Sequence, residues 1–563
     1  MKKKMLAVFI CLVMVAGLIP TVAFAAENEV DVWDGTSDTS WYNETDTEFH
    51  IKTAEQLAGL AELTNIGIDT GASTGNTFDN KIIYLDYDLD LGDYPWTPIT
   101  NRNVDDGYFF KGTFDGQGHT IYNLNRHGIG NDSFDSLFGY VQGGVIKNLN
   151  VVDADLSAND YSMHVGIIAA LVENGKIINC YTSGTVESVN GWRSIGGITG
   201  SCMQGTQIVG CGSDANIISR KSESSDSVGG LVGEWLNAYK TSVISDCWFN
   251  GSIVSEDPES TVGGLLAVGY NNNVEENVKI NNCMMVSSDL SSAEKEYTAV
   301  IAHLTGTPTV ADCFYKESDN GYHVITKLDK GSLAIDTSFD PTPCAKAITD
   351  FTDNDILVLL QNNASQGVVW VEGIEHPTFS WDLTNRLADY TAVDAAIARA
   401  TALDSSLYTN YSAVEDSINS VDRAKNKAQQ TEVDAMAKAI EDAITALQYK
   451  DADYTKVDAA IAKANALKKD DYKDFSGVET AVKAVVRGKN ITEQSEVDKM
   501  AKAIEDAIAA LEKKPASTKP GTSDKSPQTG DTSNLALWIA LLFVSGGAAI
   551  GTTVVSRKKK YNR

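Results

Sequence analysis

Along residues 137–313 short apolar runs alternate with turn residues, and the runs recur with a nearly constant period. The aliphatic positions Leu137, Ile168, Ile198, Leu231, Leu265 and Ile301 lie 31, 30, 33, 34 and 36 residues apart. An apolar landmark follows each one: Leu149, Cys180, Cys211, Cys247, Cys283 and Cys313, after gaps of 12, 12, 13, 16, 18 and 12. From landmark to the next aliphatic the gap is 19, 18, 20, 18 and 18. Half of each repeat is therefore nearly fixed, while the other half absorbs the insertions. Runs such as VIKNLNV and VKINNCMMV read as strands, and their recurrence predicts one coil of a parallel β-solenoid per repeat. Equivalent side chains in such a stack sit about 4.8 Å apart.

Beyond Tyr390 the period changes to that of helices. A gapless 64-residue repeat pairs YTAVDAAIARATAL with YTKVDAAIAKANAL, and TEVDAMAKAIEDAITAL with SEVDKMAKAIEDAIAAL. Val393, Ala396, Ile397 and Ala400 form one helical stripe, and Val414, Ile418 and Val421 a second. Val433, Met436, Ala437, Ile440, Ile444 and Leu447 form a third, with Thr431 as the expected N-cap. Three amphipathic helices per copy predict tandem three-helix bundles over 390–450 and 454–514. Residues 515–529 read as a Pro/Ser/Thr linker with nothing to bury.

The glycines of VGGLVGEW (Val228 to Trp235) could cradle a phosphate if they stood alone. Recurrence of the pattern, with no GKS or GKT anywhere in the series, excludes that reading. Gly196-Gly197, Gly229-Gly230 and Gly263-Gly264 are instead expected at corners with positive φ, each followed by an inward aliphatic. Thr53-Ala54-Glu55-Gln56 has the form of a capping box before LAGLAEL, so a short helix is expected to close one end. Residues 350–381 are expected to close the other. Five of the cysteines share one repeat position. They are expected as an interior ladder of free thiols, with disulfides between neighbouring rungs as an alternative; a metal site is weaker still, because a straight row cannot enclose an ion tetrahedrally.

The repeats resemble the GLUG motif of bacterial surface proteins. FKGTFDGQGHTIYNL (Phe110 to Leu124) is similar to the segment that precedes it in right-handed parallel β-helices. The resemblance implies that fold over residues 26–385. The helical copies look like FIVAR modules, found in wall-anchored proteins as stalks or carbohydrate-associated units.

The two ends carry address signals. Lys2-Lys3-Lys4, an apolar run from Met5 to Ile19, and Ala23-Phe24-Ala25 make residues 1–25 a secretory signal peptide, with cleavage expected before Ala26. At the other end Ser526, Pro527, Gln528, Thr529 and Gly530 precede an apolar stretch over 535–555, long enough to span a bilayer, and a basic tail. Residues 526–563 together resemble the sorting signal of Gram-positive wall-anchored proteins, with Ser526 in place of the usual Leu. The resemblance implies that a sortase cuts between Thr529 and Gly530 and joins Thr529 to peptidoglycan. The whole chain carries a formal charge of −30 at pH 7, and the processed chain about −37. That balance argues against nucleic acid or anionic lipid as a partner.

Candidate chemistry is sparse. The seven His are scattered, and neither HExxH nor a G-x-S-x-G elbow occurs. GLUG repeats also accompany immunoglobulin A-cleaving metallopeptidases, so the missing HExxH removes a recognisable zinc protease site. In YLDYDLDLGD, strand alternation points Leu85, Tyr87, Leu89 and Leu91 inward and Asp86, Asp88 and Asp90 outward. Their spacing of about 6–7 Å suits Ca²⁺ or a glycosidase pair, or simply a solvated face. The insertions at 234–242 and 267–278 offer Trp235, Tyr239 and Tyr270 as ligand-facing aromatics. The expected protein is thus a secreted, wall-attached binding module for a glycan or host surface protein, with no cofactor. The alternatives are a carbohydrate-active lyase or glycosidase, and a non-binding wall spacer.

Overall fold

A computed structural model describes residues 32–515, apart from 67–74, 93, 102–107, 128–133, 159–162, 190–192, 221–224, 237–239, 271–277, 294–296, 306–308, 320, 329–334, 337–339 and 341. The signal-peptide residues Ala23, Ala25 and Ala26, the sorting residues 526–530 and the apolar stretch 535–555 lie outside the described residues. No helix among the described residues is long and apolar enough to cross a membrane.

The apolar period becomes a β-solenoid of about eight turns. All strand pairing between turns is parallel in the described coils and passes from each turn to the next. One register line runs Phe49, Ile83, Phe114, Ile146, Ile177, Ile208, Ile244, Ile280 and Val310. Every residue on that line is buried. Burial of one such side chain contributes about 1.5–3 kcal/mol, so each turn adds a similar increment to a shared core. The repeating aliphatics Leu137, Ile168, Ile198, Leu231, Leu265 and Ile301 all lie in this core.

The landmark cysteines form the expected interior ladder. Cys180, Cys211, Cys247, Cys283 and Cys313 are buried free thiols. The residue before each landmark makes the corner. Asn148, Asn179, Gly210, Asp246, Asn282 and Asp312 have φ of 54°, 52°, 65°, 53°, 54° and 52°. Asn and Asp tolerate this left-handed region better than other side chains, which explains why Asn or Asp so often precedes the landmark Cys.

The paired glycines do a different job from the one their composition suggests. None of Gly196-Gly197, Gly229-Gly230 or Gly263-Gly264 has positive φ. Lack of space is the reason for them: a Cβ on Gly230 would stand 2.1 Å from the Gly264 carbonyl oxygen and 2.6 Å from the Phe249 ring. Successive turns meet backbone to backbone at this bend.

The helix Ala54–Asn65 buries Leu57, Leu60 and Leu63 against the first turns. Thr53 Oγ1 accepts from the Gln56 N–H, while the Gln56 side chain accepts from Lys52 N–H, one residue before the expected box partner.

Residues 350–382 depart from expectation. They do not simply close the last coil. They form a strap along the outer side of several turns. Its helix Asn354–Asn363 and the antiparallel pair Trp370–Val371 and Thr378–Phe379 cover Tyr181, Trp248, Met284 and Phe314. Those four side chains follow one another along one register line, with Gly212 between Tyr181 and Trp248. Asp246 anchors the strap, accepting from Trp370 Nε1 at 3.1 Å, Ser365 N–H at 3.1 Å and Asn282 Nδ2 at 2.6 Å.

The chain divides into two compact units, one up to Leu403 together with Ser412–Ala446, the other Asp404–Tyr411 together with the chain from Leu447. The helical repeat is preserved in three dimensions. Helices Thr391–Thr401, Ser412–Asn419 and Gln430–Thr445 recur as Thr455–Ala466, Ser476–Lys483 and Gln494–Ala509. Val393, Val414, Val433 and Ile440 are buried, as are Val457, Val478, Val497 and Ile504 in the second copy. Thr431 does not cap its helix. It lies inside Gln430–Thr445, and the entry is made by a capping box of Asn426 and Gln429 in the preceding 3₁₀ turn. Asn490 and Glu493 repeat that box in the second copy.

Candidate functional site

The strap packs on side chains of the later turns, and among the described residues none of its apolar contacts lies in the first three turns. There the predicted acidic strand Ile82–Leu85 runs into a bend at Asp86–Asp88 and resumes at Leu89–Asp90. The bend breaks strand alternation, so Tyr87 points to solvent at 58 % exposure instead of inward. Leu85, Leu89 and Leu91 are buried as the alternation requires.

Each carboxylate of this strand is met by a side chain from a neighbouring turn. Asp86 pairs with His50 Nδ1 at 2.8 Å and accepts from Gln117 Nε2 at 3.1 Å. Asp88 pairs with His119 Nδ1 at 2.9 Å and accepts from Thr120 N–H at 2.9 Å. Asp90 accepts from Asn123 Nδ2 and Gly92 N–H, both at 2.8 Å. The three Asp therefore do not converge on one another. The His50 ring stacks on Tyr84 with centroids 5.1 Å apart. In the next turn, burial raises the Asp115 carboxyl, but hydrogen bonds from Asn148 and Gln117 N–H, with Lys147 at 3.0 Å, hold it below the ordinary range. The result is a ledge of aromatic faces edged with paired carboxylates and imidazoles, with His50 and Tyr87 a little more than half exposed.

The aromatics of the insertions lie elsewhere. Trp235, expected to face a ligand, is wholly buried in the solenoid interior. Its register neighbours in the adjacent turns are Cys202 and Gly269. Tyr239 lies outside the described residues. Tyr270 is half-buried next to Glu234, and burial followed by that charge raises its phenol pKa. Burial likewise raises the Glu234 carboxyl, which accepts from Ser194 Oγ at 2.9 Å.

Sequence reasoning missed a buried polar group under the strap. Tyr181 donates to Asp214 at 2.7 Å and Asn250 Nδ2 donates to its other oxygen at 3.1 Å. Burial raises Asp214 and lowers His376, whose ring meets Trp248 at 4.6 Å. The hydrogen-bond partners of Asp214 come from adjacent turns 33 and 36 residues away, and His376 meets Trp248 from the strap 128 residues on, so no local motif marks them. Among the described residues, no three His, Cys, Asp or Glu gather in an arrangement able to hold a metal ion.

No protein-family model matches the chain. Over 178 residues it is 30 % identical to halomucin of Haloquadratum walsbyi, a stretch covering 30 % of this chain and 2 % of that protein. Among solved structures it is similar to one described as an immunoglobulin A1 protease from Bacteroides ovatus. That pair shares 19 % identity with a TM-score of 0.40, over 60 % of this chain and 93 % of the other. A second structure, an IgA1 protease, shares 14 % identity with a TM-score of 0.37, over 67 % of this chain and 28 % of the other.

Proposed function

We propose that this is a secreted surface protein whose solenoid binds neutral glycan through the ledge of the first turns. The observation that carries the reading is the ledge itself. Tyr87 and the stacked Tyr84–His50 pair offer flat apolar faces for sugar rings. Asp86, Asp88, Gln117 and His119 offer acceptors and donors for hydroxyls beside them. The strong net negative charge favours a neutral glycan over an acidic one. The strap supports the same reading, since it packs on the later turns and, among the described residues, its apolar contacts do not reach Tyr84, Tyr87 or His50.

The helical copies then serve as a FIVAR-like stalk behind a GLUG-type right-handed solenoid. Residues 1–25 direct export, and a sortase attaches Thr529 to peptidoglycan after the 535–555 segment has held the chain in the membrane. Residue pattern alone supports these steps. Thr529→Ala should release the chain from wall linkage, and unchanged attachment would refute the sorting step. For the ledge, a panel of polysaccharides and mucins is assayed for both retention and new reducing ends. Retention without cleavage supports binding. Cleavage lost in Asp86→Ala or Asp88→Ala would replace the reading with a glycan-cleaving enzyme, and retention by no member would favour a spacer.

A further inference from the structure

The cysteine ladder has a geometry that packing alone does not call for. Cys180, Cys211, Cys247, Cys283 and Cys313 stand on five consecutive rungs, closed off by Leu149 before the first and Ala345 after the last. Those end residues show that an ordinary apolar side chain fills the position. We propose that the ladder binds soft monovalent cations of the copper(I) and silver(I) class, one ion in each gap between neighbouring thiols.

Spacing, charge and ligand type support this. With metal–sulfur bonds near the zinc–thiolate length of about 2.3 Å, a two-coordinate ion in line between two sulfurs spans about 4.6 Å, close to the rung spacing of about 4.8 Å. A disulfide wants Cβ atoms about 3.8 Å apart, so the rungs suit a bridging ion better than a sulfur–sulfur bond. Ions that need a tetrahedron find no third or fourth ligand on a straight row, whereas soft closed-shell ions favour thiolates. Each ion takes the place of one S–H proton. The M–S bond forms as the S–H bond breaks, the proton leaves to solvent, and the neighbouring sulfur donates a lone pair. The row therefore gains no net charge in an apolar core, where an added charge would be costly. The displaced protons make only weak bonds, such as Cys180 to Ile178 O at 3.4 Å and Cys211 to Val209 O at 3.5 Å. Neighbouring rungs already interact directly, since Cys247 N–H donates to Cys283 Sγ at 3.4 Å. Every ladder thiol is at most 1 % exposed, so loading takes place as the chain folds.

The test is refolding of the full chain in chloride-free buffer with excess silver nitrate, followed by desalting against methionine as a weak competitor. Bound silver and the melting temperature are then measured. Five thiols in a row leave four gaps, so about four silver ions per chain and a raised melting temperature are expected. Cys211→Ala with Cys283→Ala leaves no neighbouring pair and should reduce retention to the background of isolated thiols. Cys180→Ala removes one end gap and should retain about three, which keeps the test decisive if the double variant does not fold. Fewer than two ions on the wild-type chain, or Cys180→Ala retaining as much silver as wild type, would overturn the proposal.

Discussion

Replacing Asp246 by Ala tests how the strap is held. Three donors converge on this carboxylate, buried ones from Trp370 and Asn282 and a partly buried one from Ser365. Each orphaned donor costs about 1–3 kcal/mol, while relief from burying the carboxylate returns part of it. A net loss of about 3 kcal/mol follows. The apolar contacts of Ile356, Leu360, Trp370 and Phe379 contribute about 6–12 kcal/mol on the same scale. The strap should therefore stay docked but open far more often. Hydrogen exchange read by mass spectrometry reports this directly. Amides of 360–371 should exchange about 100-fold faster, since 1.4 kcal/mol is one decade. Amides of Val232–Trp235, inside the solenoid and away from the strap cluster, should keep wild-type protection because the strap and the interior are separate apolar clusters. Unchanged exchange at 360–371, or equal acceleration in both segments, would refute the account of Asp246 as a local anchor.

Three further outcomes follow from particular residues. Gly230→Ala should destabilise the solenoid by about 3 kcal/mol or more, the upper end for overpacking, because the clash is with backbone. Gly230→Asn should be no better, whereas rescue by Asn in a denaturant titration would restore the positive-φ reading. Trp235→Ala should cost about 3–5 kcal/mol in the same titration, and a loss near zero would put the indole back on the surface. Glu234→Gln should stabilise the chain at pH 7 and converge with wild type at acid pH. The folded carboxyl ionises at higher pH than the unfolded one, so wild type loses stability as pH rises past the ordinary value of 4.5. Melting curves that differ equally at pH 4 and pH 7 would contradict this.

Much of the fold was legible because a solenoid writes its period into the chain. The aliphatic series and the cysteine landmarks named interior positions, and the 64-residue repeat named equivalent buried residues in both helical copies. What composition concealed was cause. Glycine pairs look alike whether they serve positive φ or close backbone approach, and only neighbours in the next turn distinguish the two. Trp235 illustrates the same limit, although its register mates Cys202 and Gly269 were a readable sign of an interior position. The strap was illegible in principle. Its anchor joins Asp246 to Trp370 across 124 residues, and no local pattern encodes that meeting. The acidic strand was found, but the bend that turns Tyr87 outward depends on pairing with the adjacent turns.

Affinity electrophoresis through gels containing neutral polysaccharides measures the central claim most directly. The wild-type chain should be retarded in at least one gel, and Tyr87→Ala with Asp88→Asn should weaken that binding about tenfold, equivalent to 1.4 kcal/mol, with an unchanged circular dichroism spectrum. Retardation that survives the double substitution, or is absent from every gel, would contradict a glycan-binding ledge on the first turns.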